Sequence, residues 1–366
     1  MRKIKAAVIH EPSGPFRIEE LSLSEPRDNE VLVRIAATGI CHTDLAGRDM
    51  HLPIPPPPSV FGHEGAGVVE KVGSRVTKVT PGDHVVLAWN SCGTCTSCKA
   101  GKDACCLDFF LYNFNGARPD GSVTLRKGDQ PIHGSFFSQS SFADFALASE
   151  RNVVKIRDDV PLEIMGPMGC GVMTGAGAVM NALQPSPGSS IAVFGAGTVG
   201  MSAILAAVVS GCTRVIAVDI NPDRLKMAEG FGATHTLNAN ETDPVEAIRD
   251  ITGGGVEFSL ECVGKPKVLR QAVDCLPRLG VCGLLGVVPP GTEVSLDMDL
   301  LMNARTVRGI IEGDAIPDLF IPRLIELYRQ GRFPFDRLIT FYPLDEINQA
   351  VDDMEAGRVV KPILRP

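Results

Sequence analysis

The second half of the chain alternates short apolar runs with helical patterns of apolar positions. The short runs predict strands at 191–194, 214–219, 235–238, 258–263, 281–286 and 306–311. The patterns between them predict a helix that ends near 210 and further helices at 223–230, 244–252 and 266–276. Strands that alternate with helices in this way predict a doubly wound parallel sheet, and therefore an α/β fold class.

The first half has a different pattern, in which short alternating runs are separated by proline and glycine. Runs at 31–37, 67–72 and 84–89 predict a β-rich domain. Beyond 311, helical patterns at 321–330 and 345–356 precede a strand at 359–364 that the first domain could add to its sheet. We predict a β-rich domain at 1–170, a parallel-sheet domain at 171–312, and a C-terminal segment at 313–366 that returns to the first domain.

Composition and charge narrow the classes of protein that this chain can represent. It has 366 residues, of which 44% are hydrophobic and 21% charged, as in ordinary globular proteins. The net charge of −8 argues against nucleic acid as a partner. The apolar run 6–9 is too short for a signal peptide, and glycine and serine interrupt the uncharged stretch 191–211, so we expect no membrane span. Eleven cysteines, an odd number, favour a reducing compartment, and we expect a soluble cytoplasmic protein.

Five of the cysteines lie within residues 92–106. Four thiolates this close in sequence can bind one tetrahedral zinc ion in a closed, structural site. An iron–sulfur cluster is the main alternative, because the first three cysteines have the spacing of bacterial ferredoxins. Seven residues separate Cys98 from Cys106 and no proline follows Cys106, so the fourth position departs from that pattern and zinc is favoured.

A second set of candidate ligands is scattered along the chain. Taken alone, each of Cys41, His63 and Cys170 is weak evidence, because a single cysteine or histidine flanked by small residues is more often a packed core residue. Together, two thiolates and an imidazole leave zinc one open position, which is the arrangement of a catalytic site. Asp44 or Glu64 could accept the second ring N–H of the histidine.

A glycine-rich turn follows the first predicted strand of the parallel sheet. Gly195, Gly197 and Gly200 form the pattern GxGxxG, and Asp219 ends the next strand 19 residues after the last glycine. In this context the glycines permit the tight turn, the approach of a pyrophosphate and the contact of helix with strand. The carboxylate of Asp219 would accept hydrogen bonds from ribose and repel a 2′-phosphate, which favours NAD, although Arg224 lies nearby.

The assembled motifs resemble those of the zinc-dependent alcohol dehydrogenases of the medium-chain dehydrogenase/reductase superfamily. The resemblance spans nearly the whole chain and includes the motifs at 39–44, 62–65 and 169–171, the cysteine-rich segment and the glycine turn, in the family's order. Segments 136–143, 171–178 and 332–336 are similar to those of aryl-alcohol (benzyl alcohol) dehydrogenases and their geraniol-oxidising relatives. The resemblance implies a GroES-like catalytic domain, a Rossmann coenzyme domain and a homo-oligomer, either a dimer or a tetramer.

The resemblance also implies roles for individual residues. The catalytic zinc is held by Cys41, His63 and Cys170, with Glu64 as an alternative ligand, and the structural zinc by Cys92, Cys95, Cys98 and Cys106. Thr43 begins a proton relay, and Asp44 contacts a ligand of the metal and not the metal itself. The coenzyme-binding residues are His42, Thr174, Gly195, Gly197, Val199, Gly200, Asp219, Arg224 and Lys361, and the substrate pocket is lined by Leu52, Phe136 and Phe137.

The implied activity is the reversible oxidation of a primary aromatic or allylic alcohol to its aldehyde, with hydride transfer to NAD. A terpene alcohol, a cinnamyl alcohol or the glutathione adduct of formaldehyde are alternative substrates, and a non-enzymatic NAD(H)-binding redox sensor is the alternative from another class. Two positions depart from the family. Ala46 stands where many members end the proton relay with a histidine, and Lys361 stands where an arginine is common.

Overall fold

The computed structural model describes all 366 residues, and its internal contacts divide the chain into two compact units. The first unit comprises Met1–Cys170, Ile316–Ile325 and Asp336–Pro366. The second comprises Gly171–Ala315 and Glu326–Phe335. The domain bounds drawn from the sequence at 170 and 312 stay a prediction; the first of them falls where the first unit's long segment ends.

The N-terminal part of the first unit contains short strands in two sheets, and its helices are short. The strands are β1 (Arg2–Ile9), β2 (Arg17–Leu23), β3 (Glu30–Gly39), β4 (Ser59–Val60), β5 (Glu64–Val72), β6 (His84–Leu87), β7 (Leu125–Lys127), β8 (Gln130–Ile132), β9 (Phe145–Ser149) and β10 (Val153–Lys155). The helices are α1 (His42–Arg48), α2 (Thr96–Lys99) and α3 (Phe109–Asn113). One sheet has the order β4-β1-β2-β7-β8, and in the other β3 lies between β5 and β9.

The second unit is built on six parallel strands in the order β13-β12-β11-β14-β15-β16. This order confirms the predicted doubly wound sheet. The strands are β11 (Ser190–Phe194), β12 (Arg214–Asp219), β13 (His235–Asn238), β14 (Phe258–Glu261), β15 (Val281–Leu284) and β16 (Thr306–Gly309). The helices are α4 (Gly171–Gly177), α5 (Thr198–Val209), α6 (Pro222–Gly230), α7 (Pro244–Thr252), α8 (Pro266–Asp274) and α9 (Met298–Met302), and a π-helical turn follows α4 at Ala178–Leu183.

The predicted strands and helices of this sheet are confirmed with small shifts at their ends. Strand β14 ends at Glu261, two residues before its predicted end, because the Glu261 carboxylate accepts hydrogen bonds from the backbone N–H groups of Val263 and Gly264, both at 2.8 Å. Every residue of β11 is buried, as is most of α5. A strand that is buried on both faces has a continuous run of apolar residues in its sequence, as expected for the centre of a parallel sheet.

The C-terminal residues contribute α10 (Pro317–Arg329), β17 (Ile339–Pro343), α11 (Ile347–Glu355) and β18 (Lys361–Arg365). Strand β18 pairs with β17 in parallel and with β3 in antiparallel register, so the last strand of the chain joins the sheet that contains β3. Helix α11 confirms the helical pattern predicted at 345–356, and its buried residues are Ile347, Ala350, Val351 and Met354. None of the helices combines the length and the apolar character that crossing a bilayer requires.

Candidate active site

Four side chains from three separate segments of the first unit lie close together. The ligand atoms of Cys41, His63, Glu64 and Cys170 all lie within 4.8 Å of one another. Cys41 lies between β3 and α1, His63 immediately precedes β5, and Cys170 follows a short 3-10 turn at Gly166–Gly169. His63 and Glu64 are fully buried, and the other two side chains are buried or half-buried.

The register of the sheet brings these residues together. Gly39, at the end of β3, pairs with Glu64, at the start of β5, and Ile363 of β18 pairs with Gly39 on the other side. Residues that follow β3 and residues that begin β5 and β18 therefore lie at the same end of the sheet. Gly62 makes the turn before His63 at φ +95°, and a Cβ there would lie 2.4 Å from the backbone nitrogen of Phe142. Only glycine fits that turn.

Asp44 holds the histidine of this cluster in place. Its Oδ1 lies 2.8 Å from His63 Nδ1 and accepts a hydrogen bond from Gly62 N at 3.0 Å, and its Oδ2 accepts one from Cys41 N at 2.9 Å. Of the two carboxylates that the sequence offered as partner for His63, the structure selects Asp44. This side chain, which is fully buried, thus fixes the ring of one candidate ligand and the backbone of another.

The second carboxylate, Glu64, has a different partner. Its Oε2 accepts a hydrogen bond from Lys361 Nζ at 2.7 Å, and the same ammonium donates to the carbonyl oxygen of Ile40 at 2.9 Å. Glu64 and Lys361 are 0% and 2% exposed, so this is a fully buried ion pair. The predicted contact of Lys361 with the coenzyme stays a prediction, and two of the three ammonium donors are already engaged within the first unit.

Burial and neighbouring charges shift the pKa values of the side chains in this cluster. The hydrogen bond from the Cys170 thiol outweighs burial and, together with His63 and Lys361, holds the pKa of Cys41 well below its usual range. Burial alone would lower the pKa of His63, but Asp44 and Cys41 raise it well above its usual range. Burial likewise opposes the charge of Lys361, and its pKa is nevertheless raised by Glu64 and Cys41. The lowered pKa of Cys41 favours the thiolate, which is the form that binds metals.

The donor set fits a catalytic zinc ion. His63 Nε2 is buried and has no hydrogen-bond partner in the chain, which would cost free energy if nothing else bound there. With Nδ1 held by Asp44, Nε2 is the nitrogen left for a metal. Two thiolates, one imidazole and an optional carboxylate match the chemistry of zinc sites that keep a position open for substrate.

The cysteine-rich segment forms a second cluster of four ligand atoms within 4.8 Å of one another, those of Cys92, Cys95, Cys98 and Cys106. The Sγ–Sγ distances are 3.9 Å from Cys92 to Cys98 and 3.5 Å from Cys95 to Cys98, close to the roughly 3.8 Å that tetrahedral Zn–S bonds of about 2.3 Å require. Backbone N–H groups point at the sulfurs, and hydrogen bonding from Thr94 lowers the pKa of Cys92 to about 6. Cys105 lies outside the cluster and is exposed.

The glycine turn of the second unit has the geometry that a dinucleotide phosphate requires. Gly195 has φ +95°, and a Cβ on Gly200 would lie 1.8 Å from the carbonyl oxygen of Gly195, so both positions need glycine. A Cβ on Gly197 would meet nothing within 4 Å. The packing of the chain therefore does not require that glycine, whereas a phosphate above the first turn of α5 would. Val199 lies in this first turn.

Asp219 lies at the carboxyl end of β12 with its carboxylate turned toward the glycine turn. Its Oδ2 accepts a hydrogen bond from Ala196 N at 2.6 Å, and its Oδ1 accepts from the backbone N–H groups of Ile220 and Asn221. Arg224 lies in the first turn of α6, and its Nε is buried without a hydrogen-bond partner. Thr174 of α4 donates to Glu312 Oε2 at 3.1 Å. The coenzyme contacts of all these residues stay predictions.

The remaining predicted residues lie in the first unit. Thr43 is half-buried with its Oγ1 3.7 Å from Cys41 Sγ, and His42 is exposed. The ring of Phe137 stacks on that of His63, with centroids 4.5 Å apart, and the ring of Phe136 meets it edge-on at 5.7 Å. Both phenylalanines are 3% exposed. Leu52 lies in the loop after α1, half-buried.

Sequence reasoning missed a residue whose side chain bonds to the backbone on both sides of Glu64. Gln139 is 1% exposed and makes hydrogen bonds to the backbone of His63 and Gly65. The only signal in the sequence was its place in the segment 136–143, which resembled that of aryl-alcohol dehydrogenases. A single glutamine in a polar segment gives no indication of burial, so its contacts could not be predicted.

An open Cys₂His donor set occurs among catalytic zinc sites in alcohol dehydrogenase, and the second unit has the sheet and turn of a dinucleotide-binding fold. Fold and site together define the class of this protein as a zinc-dependent dehydrogenase.

Comparisons with known proteins agree with this class. The family model for zinc-binding dehydrogenases matches residues 198–329, and that for the alcohol dehydrogenase GroES-like domain matches residues 27–158. Geraniol dehydrogenase of Castellaniella defragrans (strain DSM 12143 / CCUG 39792 / 65Phen) is 46% identical over 363 residues, which are 98% of this chain and 97% of that protein. The crystal structure of benzyl alcohol dehydrogenase from Acinetobacter calcoaceticus is 48% identical with a TM-score of 0.96, and the match covers 100% of this chain and 99% of that one.

A more distant structure, a zinc-binding dehydrogenase from Sinorhizobium meliloti 1021 bound to NADP, is 27% identical with a TM-score of 0.82 and matches 100% of both chains. The chain belongs to the zinc-dependent alcohol dehydrogenases of the medium-chain dehydrogenase/reductase superfamily, which confirms the predicted family and fold class. It is an enzyme of zinc-dependent alcohol oxidation, and its substrate is a small-molecule alcohol.

Proposed function

We propose that this enzyme oxidises primary aromatic or allylic alcohols to aldehydes, reversibly, with NAD as hydride acceptor and two zinc ions per chain. The observation that carries the proposal is the buried cluster of Cys41, His63, Glu64 and Cys170, in which His63 Nε2 has no partner within the chain. When bound, zinc supplies a Lewis acid that can lower the pKa of a hydroxyl such as that of water from about 15.7 to about 7, and nicotinamide supplies the hydride acceptor.

The residues of the chain prepare this site in three ways. Asp44 fixes the His63 ring through Nδ1, which leaves Nε2 as the nitrogen that would bind the metal, and the lowered pKa of Cys41 favours its thiolate form. Lys361 balances the charge of Glu64, so the ion pair adds no net charge to the two thiolates and the imidazole. A site with that balance accepts the negative charge that an alcohol oxygen gains when it loses its proton.

Thr43 is the residue proposed to accept the proton from the alcohol. Its hydroxyl lies 3.7 Å from Cys41 Sγ, beside the ligand cluster, and the residue is half-buried. A hydroxyl can accept one proton while donating its own. Beyond Thr43 the position that is a histidine in many family members is Ala46, so the onward carrier of the proton would be water or a ribose hydroxyl of the coenzyme.

The preference for an aromatic or allylic group is proposed from the aromatic side chains around His63. Phe136 and Phe137 contact the His63 ring, and with Phe61, Phe109 and Phe114 they form one cluster of aromatic rings. A flat apolar group beside such rings gains both burial and edge-to-face contacts.

Turnover of a panel of alcohols by the zinc-loaded enzyme tests the function. We expect kcat/KM for benzyl alcohol and geraniol to exceed that for ethanol roughly 70-fold, because burying about 100 Å² more apolar surface is worth about 2.5 kcal/mol. Equal values for benzyl alcohol and ethanol would remove the aromatic and allylic preference. Faster turnover of cinnamyl alcohol or of the glutathione adduct of formaldehyde would reassign the substrate, and no turnover of any alcohol would leave the redox-sensor alternative.

The choice of NAD rests on Asp219, and exchanging its charge tests it. We expect Asp219→Asn to lower kcat/KM for NAD about 10- to 100-fold, because a hydrogen bond to a charged group contributes about 1.5–3 kcal/mol. The ratio of NAD to NADP activity should fall, since the charge that repels a 2′-phosphate is gone and Arg224 remains. Asp223→Asn, an exposed carboxylate four residues away, is the control and should leave the ratio unchanged. An unchanged ratio in Asp219→Asn would contradict the assignment.

A further inference from the structure

Residues 136–142, named here the clamp segment, run beside residues 60–65, the segment that contains two of the four candidate metal ligands. Hydrogen bonds link the two segments at successive positions, and all of them end on main-chain atoms of the ligand segment. They include Ser140 Oγ to Val60 O (2.7 Å), Ser141 N to Gly62 O (2.9 Å) and Phe142 N to Phe61 O (3.0 Å). The backbone approaching His63 is thereby fixed along its length.

Gln139 continues this series past the histidine. Its Nε2 donates to the carbonyl oxygen of His63 at 2.9 Å and to that of Ala88 at 3.2 Å, and its Oε1 accepts from the backbone N–H of Gly65 at 3.1 Å. One buried amide therefore holds the peptide groups on both sides of Glu64. It also joins them to Ala88, the residue that follows β6. Donor and acceptor face opposite partners, so only the amide satisfies all three groups.

The backbone of the clamp segment is itself strained. Phe137, Ser138 and Ser140 have φ values of 51°, 53° and 47°, in the left-handed region that disfavours side chains. Each such residue costs of the order of 1 kcal/mol or more, and such strain is found where the surrounding structure requires it. Here it places the Phe137 ring on His63 and the Gln139 amide on the backbone of the same residue.

We propose that Gln139 is a positioning residue for the catalytic metal, acting through the backbone of His63, Glu64 and Gly65. The inference rests on the proposed function in that the cluster it orients is the catalytic one. By holding the peptide groups on both sides of Glu64, Gln139 keeps the imidazole and the carboxylate at the separation from Cys41 and Cys170 that a single ion requires. Partners of this kind, one step behind the ligands, change metal affinity about 10- to 100-fold when they are removed.

The test compares Gln139→Glu with a matched variant, Asn113→Asp. Asn113 is also fully buried and has the same bonding pattern, since its Nδ2 donates to the carbonyls of Asn90 and Phe109 and its Oδ1 accepts from Asn90 N, each at 2.8 Å. Both exchanges put one carboxylate in place of one buried amide. Asn113 makes no bond to residues 60–65, so it controls for the destabilisation that this exchange causes at a buried amide, and release from the four-cysteine site, which Asn113 approaches through Asn90, is scored as a separate phase.

The readout is the rate at which zinc passes from the full-length protein to a chromogenic chelator. The Cys170→Ser variant, which lacks one catalytic ligand, identifies the phase that belongs to the four-cysteine site. We expect release from the catalytic site to be about 10- to 100-fold faster in Gln139→Glu than in Asn113→Asp, whatever the two melting temperatures are. If Gln139→Glu yields no folded protein, Gln139→Met against Asn113→Leu removes the same bonds without adding charge.

A ratio below ten between the paired variants overturns the proposal, because Gln139 would then act only on stability. This outcome is separate from failure of the proposed function. A wild-type protein that holds zinc at both clusters and oxidises no alcohol would refute the enzyme assignment, while the difference in release rates would still stand or fall by itself.

Discussion

Replacing Cys41 by serine is expected to lower kcat/KM for every alcohol by at least about 10⁴-fold. The exchange removes one of two thiolates from the ligand cluster, and a neutral hydroxyl is a poor zinc ligand. A shift in hydroxyl pKa from about 15.7 to about 7 corresponds to roughly 12 kcal/mol, whereas a 10⁴-fold loss needs only about 5.4 kcal/mol. Steady-state kinetics measures the loss, and elemental analysis should find the zinc content reduced from two ions per chain to one.

Cys105→Ser is the control for this prediction. Cys105 is exposed and is not among the four ligands of the cysteine-rich cluster, so the same exchange there should keep both zinc ions and the activity. Wild-type kinetics in Cys41→Ser would exclude the cluster as the catalytic site. A single zinc ion in the wild-type protein would contradict the proposal of two sites.

Replacing Lys361 by methionine is expected to destabilise the first unit by about 3–5 kcal/mol. The exchange leaves Glu64, which is fully buried, without its cation, and an uncompensated buried charge is more costly than the pair it came from. Thermal unfolding with zinc in excess should show a melting temperature lower by roughly 10 °C. The double variant Glu64→Gln, Lys361→Met should recover most of this loss, because no charge is then left buried.

Lys155→Met is the matched exchange for this experiment. Lys155 Nζ lies 2.7 Å from Asp83 Oδ1, the same distance as in the buried pair, but its side chain is 54% exposed. Such a pair contributes at most about 1 kcal/mol. Equal losses from Lys155→Met and Lys361→Met would show that burial of the Glu64–Lys361 pair has no energetic consequence.

The second unit could be predicted from the sequence in most of its detail. Its strands and helices follow one another locally, and the periods of two and 3.6 residues are visible along the chain. The glycines at 195 and 200 mark a turn whose steric requirement lies within a few residues, which is why the motif alone predicted it. The end of β14 was predicted two residues too late. The prediction used the run of apolar residues, and that run does not show the hydrogen bonds from Val263 and Gly264 to the Glu261 carboxylate that end the strand.

The sequence predicted which residues belong to the active site but not how they are arranged in space. Cys41, His63 and Cys170 were candidates because their side chains suit zinc, but their meeting depends on the pairing of Gly39 with Glu64 and with Ile363. Two carboxylates, Asp44 and Glu64, were equally plausible partners for His63, and the geometry assigns one to the histidine and the other to Lys361.

The fold class, the dinucleotide turn and the side chains able to bind zinc could be predicted from the sequence alone, because these depend on residue type and on spacing over a few residues. Only the folded chain establishes that Asp44 holds His63, that Lys361 is buried against Glu64 and that Gln139 bonds to the backbone of His63. Those contacts join residues 19, 297 and 76 positions apart. At such separations, strand register and the choice among hydrogen-bond partners determine which residues come into contact. Neither of these appears as a local pattern in the chain.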